Sequence, residues 1–270
     1  MNEKTVRLGL VGKDVSKSDS RRIHTFILRE WGYDCAYENF SVSADGFDAA
    51  IRTLMGDFDG FNVTIPYKRD VFCYLDEIVG DAFACGAVNT VVTATGTGYN
   101  TDGVGFVLML KGANVQVFEK KILILGAGGA GRSAAAALKK AGASVYMYRR
   151  NRQELQETCE QLGVTPTDNP ETGGYDIVIN TTGVGMHDTE GVSPVSDKAF
   201  DGASVAVDLI YKPKRSAFLC QAEKLGLYTV NGAAMLFYQA YFADCLYVNR
   251  SPDTAEATAL YKKYLTIYGE

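Results

Sequence analysis

Residues 121–131 read Lys-Ile-Leu-Ile-Leu-Gly-Ala-Gly-Gly-Ala-Gly. The run 121–125 is apolar without alternation, the pattern of a strand buried on both faces of a parallel sheet. Gly126, Gly128 and Gly131 then stand at the three positions of G-x-G-x-x-G. In that pattern the first glycine permits a tight turn and the second lets backbone approach a pyrophosphate. The third lets helix and strand pack closely. The Ala-rich stretch 132–140 predicts a helix whose first N–H groups and positive dipole end face that phosphate. A plain tight turn would also need small residues, but the strand before and the helix after favour dinucleotide binding. Gly126, Ala127, Gly128, Gly129 and Ala130 are the candidate contacts.

Outward from this turn, further strands are expected at 143–148, 175–180 and 204–210, with a shorter one at 227–230. Strands alternating with helices indicate a doubly wound α/β domain. After the second strand, proteins that bind NAD usually carry Asp or Glu. This chain has Tyr148-Arg149-Arg150-Asn151-Arg152. Guanidinium groups can hold a 2′-phosphate through charge-assisted hydrogen bonds, so Arg149, Arg150 and Asn151 predict NADP. The plainer reading is a solvated basic turn opening a helix.

The first third also alternates. Strands are expected at 6–11, 35–40 and 60–64, with helices at 20–31 and 45–54. Ile23, Ile27 and Trp31 have helical spacing, and the serines before them suit an N-cap. Pro66 ends the third strand and can open another helix. Residues 90–94 and 99–101 flank Thr95-Gly96-Thr97-Gly98, a plausible hairpin. The stretch 103–112 reads as a connecting helix, and 233–268 as mostly helical and packed back on the first domain.

Composition narrows the function classes. The chain has 270 residues, 47% hydrophobic and 22% charged, with a net charge of −5. That is a globular composition with no bulk charge for nucleic acid or an acidic membrane. No apolar run approaches the roughly 20 residues of a spanning helix. The start lacks a signal-peptide core, so the cytoplasm is the expected location. Six scattered cysteines without C-x-x-C spacing and only two histidines argue against a disulfide framework or a zinc site.

Three polar strings remain. Asn62-Val63-Thr64-Ile65-Pro66-Tyr67-Lys68 ends a strand, Gly86-Ala87-Val88-Asn89-Thr90 leads into one, and Asn100-Thr101-Asp102-Gly103 opens the connecting helix. A cap, a turn and an Asx motif would explain them singly, and spacing alone leaves both readings open.

These strings, in this order, resemble the shikimate dehydrogenase family along essentially the whole chain. The family's N-V-T-x-P-x-K, G-A-V-N-T, N-T-D-G and G-A-G-G-A are met at residues 62–68, 86–90, 100–103 and 126–130. Asn180-Thr181-Thr182 with Gly185-Met186 resembles N-A-T-x-x-G-M, and 208–213 resembles D-x-x-Y-x-P. Gly232, Met235, Leu236, Gln239 and Ala240 match G-x-x-M-L-x-x-Q-A. The opening G-x-P-x-x-H-S-x-S-P-x-x-H keeps Gly12, Ser18, Ser20 and His24 but has Asp14, Lys17 and Arg21 in place of Pro, His and Pro. Tyr99 stands where the family more often has a small or acidic residue. Arg150 aligns with the arginine of the family's N-R-T, with Arg149 for Asn and Asn151 for Thr.

The resemblance implies reversible NADPH-dependent reduction of 3-dehydroshikimate to shikimate, in the chorismate pathway to aromatic amino acids. It implies Lys68 as acid/base, with Asp102 orienting it and accepting a substrate hydroxyl. Ser18 and Ser20 would bind the substrate carboxylate. Thr64, Asn89, Asp102 and Gln239 would contact ring hydroxyls, and Tyr211 would reach the carboxylate or the nicotinamide side. Gly232 joins the glycine turn and residues 149–151 as a cofactor contact. His24 is expected to be a packed helix residue, His187 a loop residue, and no metal is needed. The implied architecture is an N-terminal α/β substrate domain (1–102 plus 240–270) and a Rossmann-like NADP domain (103–239), with a cleft between them. A monomer or homodimer is expected. A quinate/shikimate enzyme and a non-catalytic NADP-binding regulator are the alternatives; intact Lys68 and Asp102 speak against the regulator.

Overall fold

The computed structural model describes residues 5–269. The chain divides into two units, Met1–Gly105 with Leu236–Glu270, and Phe106–Met235. The division falls three residues after the first expected boundary and four before the second, so Gln239 belongs to the first unit rather than the second. Residues 1–4 and 270, at the ends of the expected substrate domain, lie outside the described residues.

The first unit begins with β1 (Thr5–Gly12), α1 (Ser20–Glu30), β2 (Asp34–Ser41), α2 (Ala44–Asp57) and β3 (Gly60–Val63). It continues with β4 (Glu77–Ile78), α3 (Gly80–Cys85), β5 (Thr90–Val92) and β6 (Thr97–Tyr99). The sheet order is β2-β1-β3-β5-β6-β4. Strands β1, β2 and β3 run parallel, whereas β5 is antiparallel to both β3 and β6. Phe47, Ala50, Ile51 and Leu54, at helical spacing on α2, enter one core with Phe61 and Val63 of β3.

Two expectations change here. The serines do not cap α1: Asp19 occupies the N-cap position, and Ser18 Oγ instead accepts the Ser20 N–H at 3.2 Å. Nor does Pro66 open a helix; a run of turns leads to a 3-10 segment, Asp70–Tyr74. Tyr67 explains this, since its ring is buried against Phe47 at 4.3 Å and its hydroxyl donates to the Val42 carbonyl at 2.8 Å. Tertiary anchoring of that side chain outweighs the local helix-start signal.

Helix α4 (Asp102–Gly112) carries the chain into the second unit. There follow β7 (Lys121–Leu125), α5 (Gly129–Lys140), β8 (Ser144–Tyr148), α6 (Arg152–Leu162) and β9 (Thr165–Pro166). Then come β10 (Ile177–Asn180), β11 (Val205–Asp208), α7 (Ala217–Lys224) and β12 (Tyr228–Asn231). All neighbours are parallel, in the order β12-β11-β10-β7-β8-β9. Strand order reverses beside β7, and the crevice outside the carboxyl ends of the strands at such a point is where open α/β sheets bind ligands.

Helix α8 (Ala233–Tyr247) returns to the first unit and α9 (Thr254–Tyr268) follows. Phe26 of α1, Phe237 of α8 and Tyr264 of α9 share one aromatic cluster, with centroids 5.2–6.2 Å apart. Among the described residues no helix is long and apolar enough to cross a membrane.

Candidate active site

The β3, β5 and β6 pairings assemble the polar strings. Asn62 is opposite Thr90, and Thr90 opposite Tyr99, so Asn89 comes to lie beside the residues that leave β6. There the Asn100 side chain accepts the Asp102 N–H at 3.0 Å and donates to the Ala87 carbonyl at 2.8 Å, holding the start of α4. The Lys68 carbonyl accepts the Val88 N–H at 2.8 Å, which brings the turn after Pro66 to the same place.

Lys68 Nζ donates to Asp102 Oδ2 at 2.5 Å, with both side chains largely buried. Asp102 Oδ1 accepts from Asn89 Nδ2 at 2.8 Å, and the same amide nitrogen reaches Gln239 Oε1 at 3.3 Å. An ammonium in this setting can give a proton to a nearby carbonyl oxygen while the carboxylate keeps its orientation. Gln239 enters because α4 and α8 approach closely at Gly105, where an added Cβ would sit 2.7 Å from the Gln239 backbone nitrogen. The structure thus brings together Lys68, Asn89, Asp102 and Gln239. Thr64 follows β3, half-buried, with its N–H on the Val11 carbonyl at 2.9 Å.

The departures in the segment after β1 have their own anchoring. Asp14 Oδ1 accepts from Ser16 N at 3.1 Å and from Ser16 Oγ at 2.7 Å. Buried Val15 donates its N–H to Ser41 Oγ at 3.0 Å, and its carbonyl accepts from Asn39 at 2.9 Å. Ser18 Oγ donates to Ser20 Oγ at 2.9 Å, so the two hydroxyls are a contiguous pair. His24 is fully buried on α1, with Nδ1 2.6 Å from Asp244 Oδ1. Tyr99 is half-buried.

In the second unit, Gly126 has φ +107°, and a Cβ there would sit 2.7 Å from Thr181 Oγ1. A Cβ on Gly131 would meet the Gly126 carbonyl at 2.6 Å, so helix and turn touch as the motif requires. Gly128 is the N-cap of α5 with no side-chain cap, and the space at its Cβ position is open. Ala127 is buried; Gly129 and Ala130 open the helix. Free helix N–H groups beside open space suit a dinucleotide pyrophosphate. At the carboxyl ends of β10 and β11, Asn180 Nδ2 donates to Asp208 Oδ1 at 3.1 Å, and Ser216 Oγ donates to Asp208 Oδ2. Burial pushes the Asp208 carboxyl up, against the pull of those hydrogen bonds.

The basic turn is more divided than its sequence implies. Arg149 is ion-paired with Glu154, while Arg150 is exposed. Asn151 caps α6, accepting the Glu154 N–H at 3.3 Å and donating to Glu154 Oε1 at 2.8 Å. Both ends of its amide are engaged in the cap. Gly232 has a packing reason of its own, since a Cβ would lie 2.1 Å from the Leu209 carbonyl. Tyr211 belongs to the second unit, half-buried, with the Lys212 ammonium 5.8 Å from its ring.

Sequence reading left Tyr37, Thr101, Glu154 and Asp244 without a role, and quoted Asn62 and Thr90 without assigning one. Thr101 donates its N–H to Asn89 Oδ1 at 2.9 Å. Of these residues, only Asn62, Thr90 and Thr101 carried a signal, their place within the polar strings.

A glycine-turn nucleotide fold together with a buried lysine–carboxylate pair defines a dinucleotide-dependent oxidoreductase. Residues 10–91 match the family model described as the shikimate dehydrogenase substrate binding domain. Residues 121–193 match one described as NADP oxidoreductase, coenzyme F420-dependent. The NADP-dependent shikimate dehydrogenase of Carboxydothermus hydrogenoformans is 36% identical over 261 residues, 90% of this chain and 91% of that protein. That of Shouchella clausii is 33% identical over 97% of this chain and all of its own length. Shikimate 5-dehydrogenase of Thermus thermophilus, solved with NADP(H) and shikimate, superposes with a TM-score of 0.86 at 31% identity. The match covers 96% of this chain and 99% of that one. The chain belongs to the shikimate dehydrogenase family.

Proposed function

We propose that the chain reduces the ketone of 3-dehydroshikimate to shikimate with NADPH, and runs the reaction in reverse. The observation that carries this reading is the Lys68 ammonium held 2.5 Å from the buried Asp102 carboxylate, among the amides of Asn89 and Gln239. Ketone reduction needs a hydride on one face and a proton at the oxygen. Bound NADPH supplies the hydride. Lys68 gives the proton to the carbonyl oxygen and stabilises the negative charge that grows there. Asp102 orients the ammonium and accepts a ring hydroxyl. Asn89, Thr64 and Gln239 hold the remaining hydroxyls, Ser18 and Ser20 the carboxylate, and Tyr211 an edge of substrate or nicotinamide.

On this reading the first unit is the substrate unit and the second the nucleotide unit. The turn 126–130 and the start of α5 would hold the pyrophosphate, Gly232 would be a further cofactor contact, and Arg150, Arg149 and Asn151 would hold the 2′-phosphate. Six free cysteines suit the reducing cytoplasm, and we place the protein there as a monomer or homodimer. The test is shikimate-dependent NADP reduction followed by absorbance. Turnover on shikimate well above that on quinate supports the reading. Absence of turnover on both acids, with NADP still bound, would instead indicate a regulator.

A further inference from the structure

Tyr37 is the one buried residue of strand β2, and it carries a hydroxyl into the interior of the first unit. Its ring sits in the cluster of Val6, Leu8, Leu10 and Leu28, where phenylalanine would pack equally well. The hydroxyl crosses β1 to reach the strand beyond. Tyr37 is registered with Leu8 of β1 and Asn62 with Leu10, yet Tyr37 Oη donates to Asn62 Oδ1 at 3.1 Å. Two strand spacings are about 9–10 Å, a gap that Tyr37 and Asn62 close together.

From Asn62 the hydrogen bonds continue. Its Nδ2 donates to Thr90 Oγ1 at 3.3 Å and to the Asn89 carbonyl at 3.2 Å. Thr90 Oγ1 donates to Asn89 Oδ1 at 2.9 Å, and Asn89 Nδ2 donates to Asp102 at 2.8 Å. Each hydroxyl has one proton, and each amide has one donating and one accepting end. A phenol that donates to Asn62 Oδ1 turns the Asn62 amide towards Thr90. Thr90 then spends its proton on Asn89 Oδ1, joining the Thr101 N–H there at 2.9 Å, and the Asn89 NH₂ is left for Asp102 and Gln239. Reversing Asn62 would set its oxygen against the Asn89 carbonyl. Chains of this kind in a low-dielectric interior reinforce one another. His24, stacked on the Tyr37 ring at 4.9 Å and tied to Asp244, holds the phenol in place.

We infer that Tyr37 is a positioning residue, its hydroxyl acting on the Lys68–Asp102 pair through Asn62, Thr90 and Asn89. This rests on the functional reading above.

Tyr37→Phe keeps the ring and its stacking and removes only the hydroxyl. The expected result is a fall in kcat/KM for shikimate of about tenfold or more, divided between a raised KM and a lowered kcat. The Asn89 side-chain NH₂, which Tyr37 does not touch, should lose protection from hydrogen exchange by NMR. Thr90→Val breaks the chain at a second point and should act in the same way, with Thr90→Ser restoring both readouts. The double variant Tyr37→Phe/Thr90→Val should lose little more than the worse single variant, because one chain is already cut. A Tyr37→Phe protein with lower melting temperature but unchanged kcat, KM and Asn89 exchange overturns the inference. So do multiplicative losses in the double variant. If the unmodified protein does not turn over shikimate, the functional reading fails, and the exchange data alone decide whether Tyr37 orders Asn89.

Discussion

Lys68 and Asp244 both depend on a buried partner, with opposite consequences. For Lys68 the partner serves chemistry. Lys68→Ala should lower kcat by about 10²–10⁴-fold with a smaller change in KM, since the ammonium acts mainly on the transition state. Steady-state NADPH kinetics check this, and a loss below about tenfold removes Lys68 from the acid/base role. For Asp244 burial dominates, pushing its carboxyl up to about 6 against the pull of His24. The folded state therefore holds this proton more tightly than the unfolded chain does. The resulting stability is present at low pH and is lost as pH rises from about 4 through about 6. Asp244→Asn has no such proton. Its melting temperature relative to the unmodified protein should climb between about pH 4 and about pH 6 and level off above, and a flat difference would refute the assignment. Lys68, Asn89 and Asp102 were legible because they sit in compact polar strings. Tyr37 and Asp244 were not, because a tyrosine in a strand and an aspartate in a helix each have a bland local reading, and only pairing across 25 and 220 residues of sequence reveals their partners.

Among elements, those of the second unit were the easier to read. Strands β7 and β10 are almost wholly buried, so each carries an unbroken apolar run, 122–125 and 177–179. The two-residue strands β4 and β9 are too short to show any period, and the turns after Pro66 follow from Tyr67 anchoring that no local pattern encodes. The α4–α8 crossing gives a prediction of its own. Gly105→Ala places a Cβ 2.7 Å from the Gln239 nitrogen and 3.0 Å from its Cα, backbone atoms that cannot swing aside. Overpacking of this kind costs about 1–3 kcal/mol, and urea unfolding should show it together with a raised KM. An unchanged midpoint would mean that the helices shift freely. At the turn between β8 and α6, Arg149 must leave Glu154 before it can bind a phosphate, whereas Arg150 stands exposed beside it. Arg150→Ala should therefore weaken NADP binding more than Arg149→Ala does, by about 10- to 150-fold, with NAD little affected. Fluorescence titration would show it; a larger effect at Arg149 would reverse the assignment.

At the scale of the molecule, the two units should respond separately to their ligands. Either ligand at about 100 times its dissociation constant should stabilise the protein by about 2.7 kcal/mol. Arg150→Ala should shrink the thermal shift given by a fixed NADP concentration while leaving the shift given by shikimate intact. Loss of both shifts together would contradict separate sites. Two α/β domains were legible from the alternation of elements. Their boundaries were less so, because the chain changes unit inside the continuous helices α4 and α8, where no Pro- or Gly-rich linker marks the passage.

The first unit is also discontinuous in sequence, and this has a consequence for the ribosome. Asn89 meets Gln239 across 150 residues, and His24 meets Asp244 across 220. At typical translation speeds of about 5–20 residues per second, His24 waits roughly 10–45 s for its carboxylate. All of Phe106–Met235 emerges during that interval. The nucleotide unit can therefore finish folding on the nascent chain while the substrate unit still lacks α8 and α9. Until then the face of α1 that carries His24 and Phe26 stays uncovered.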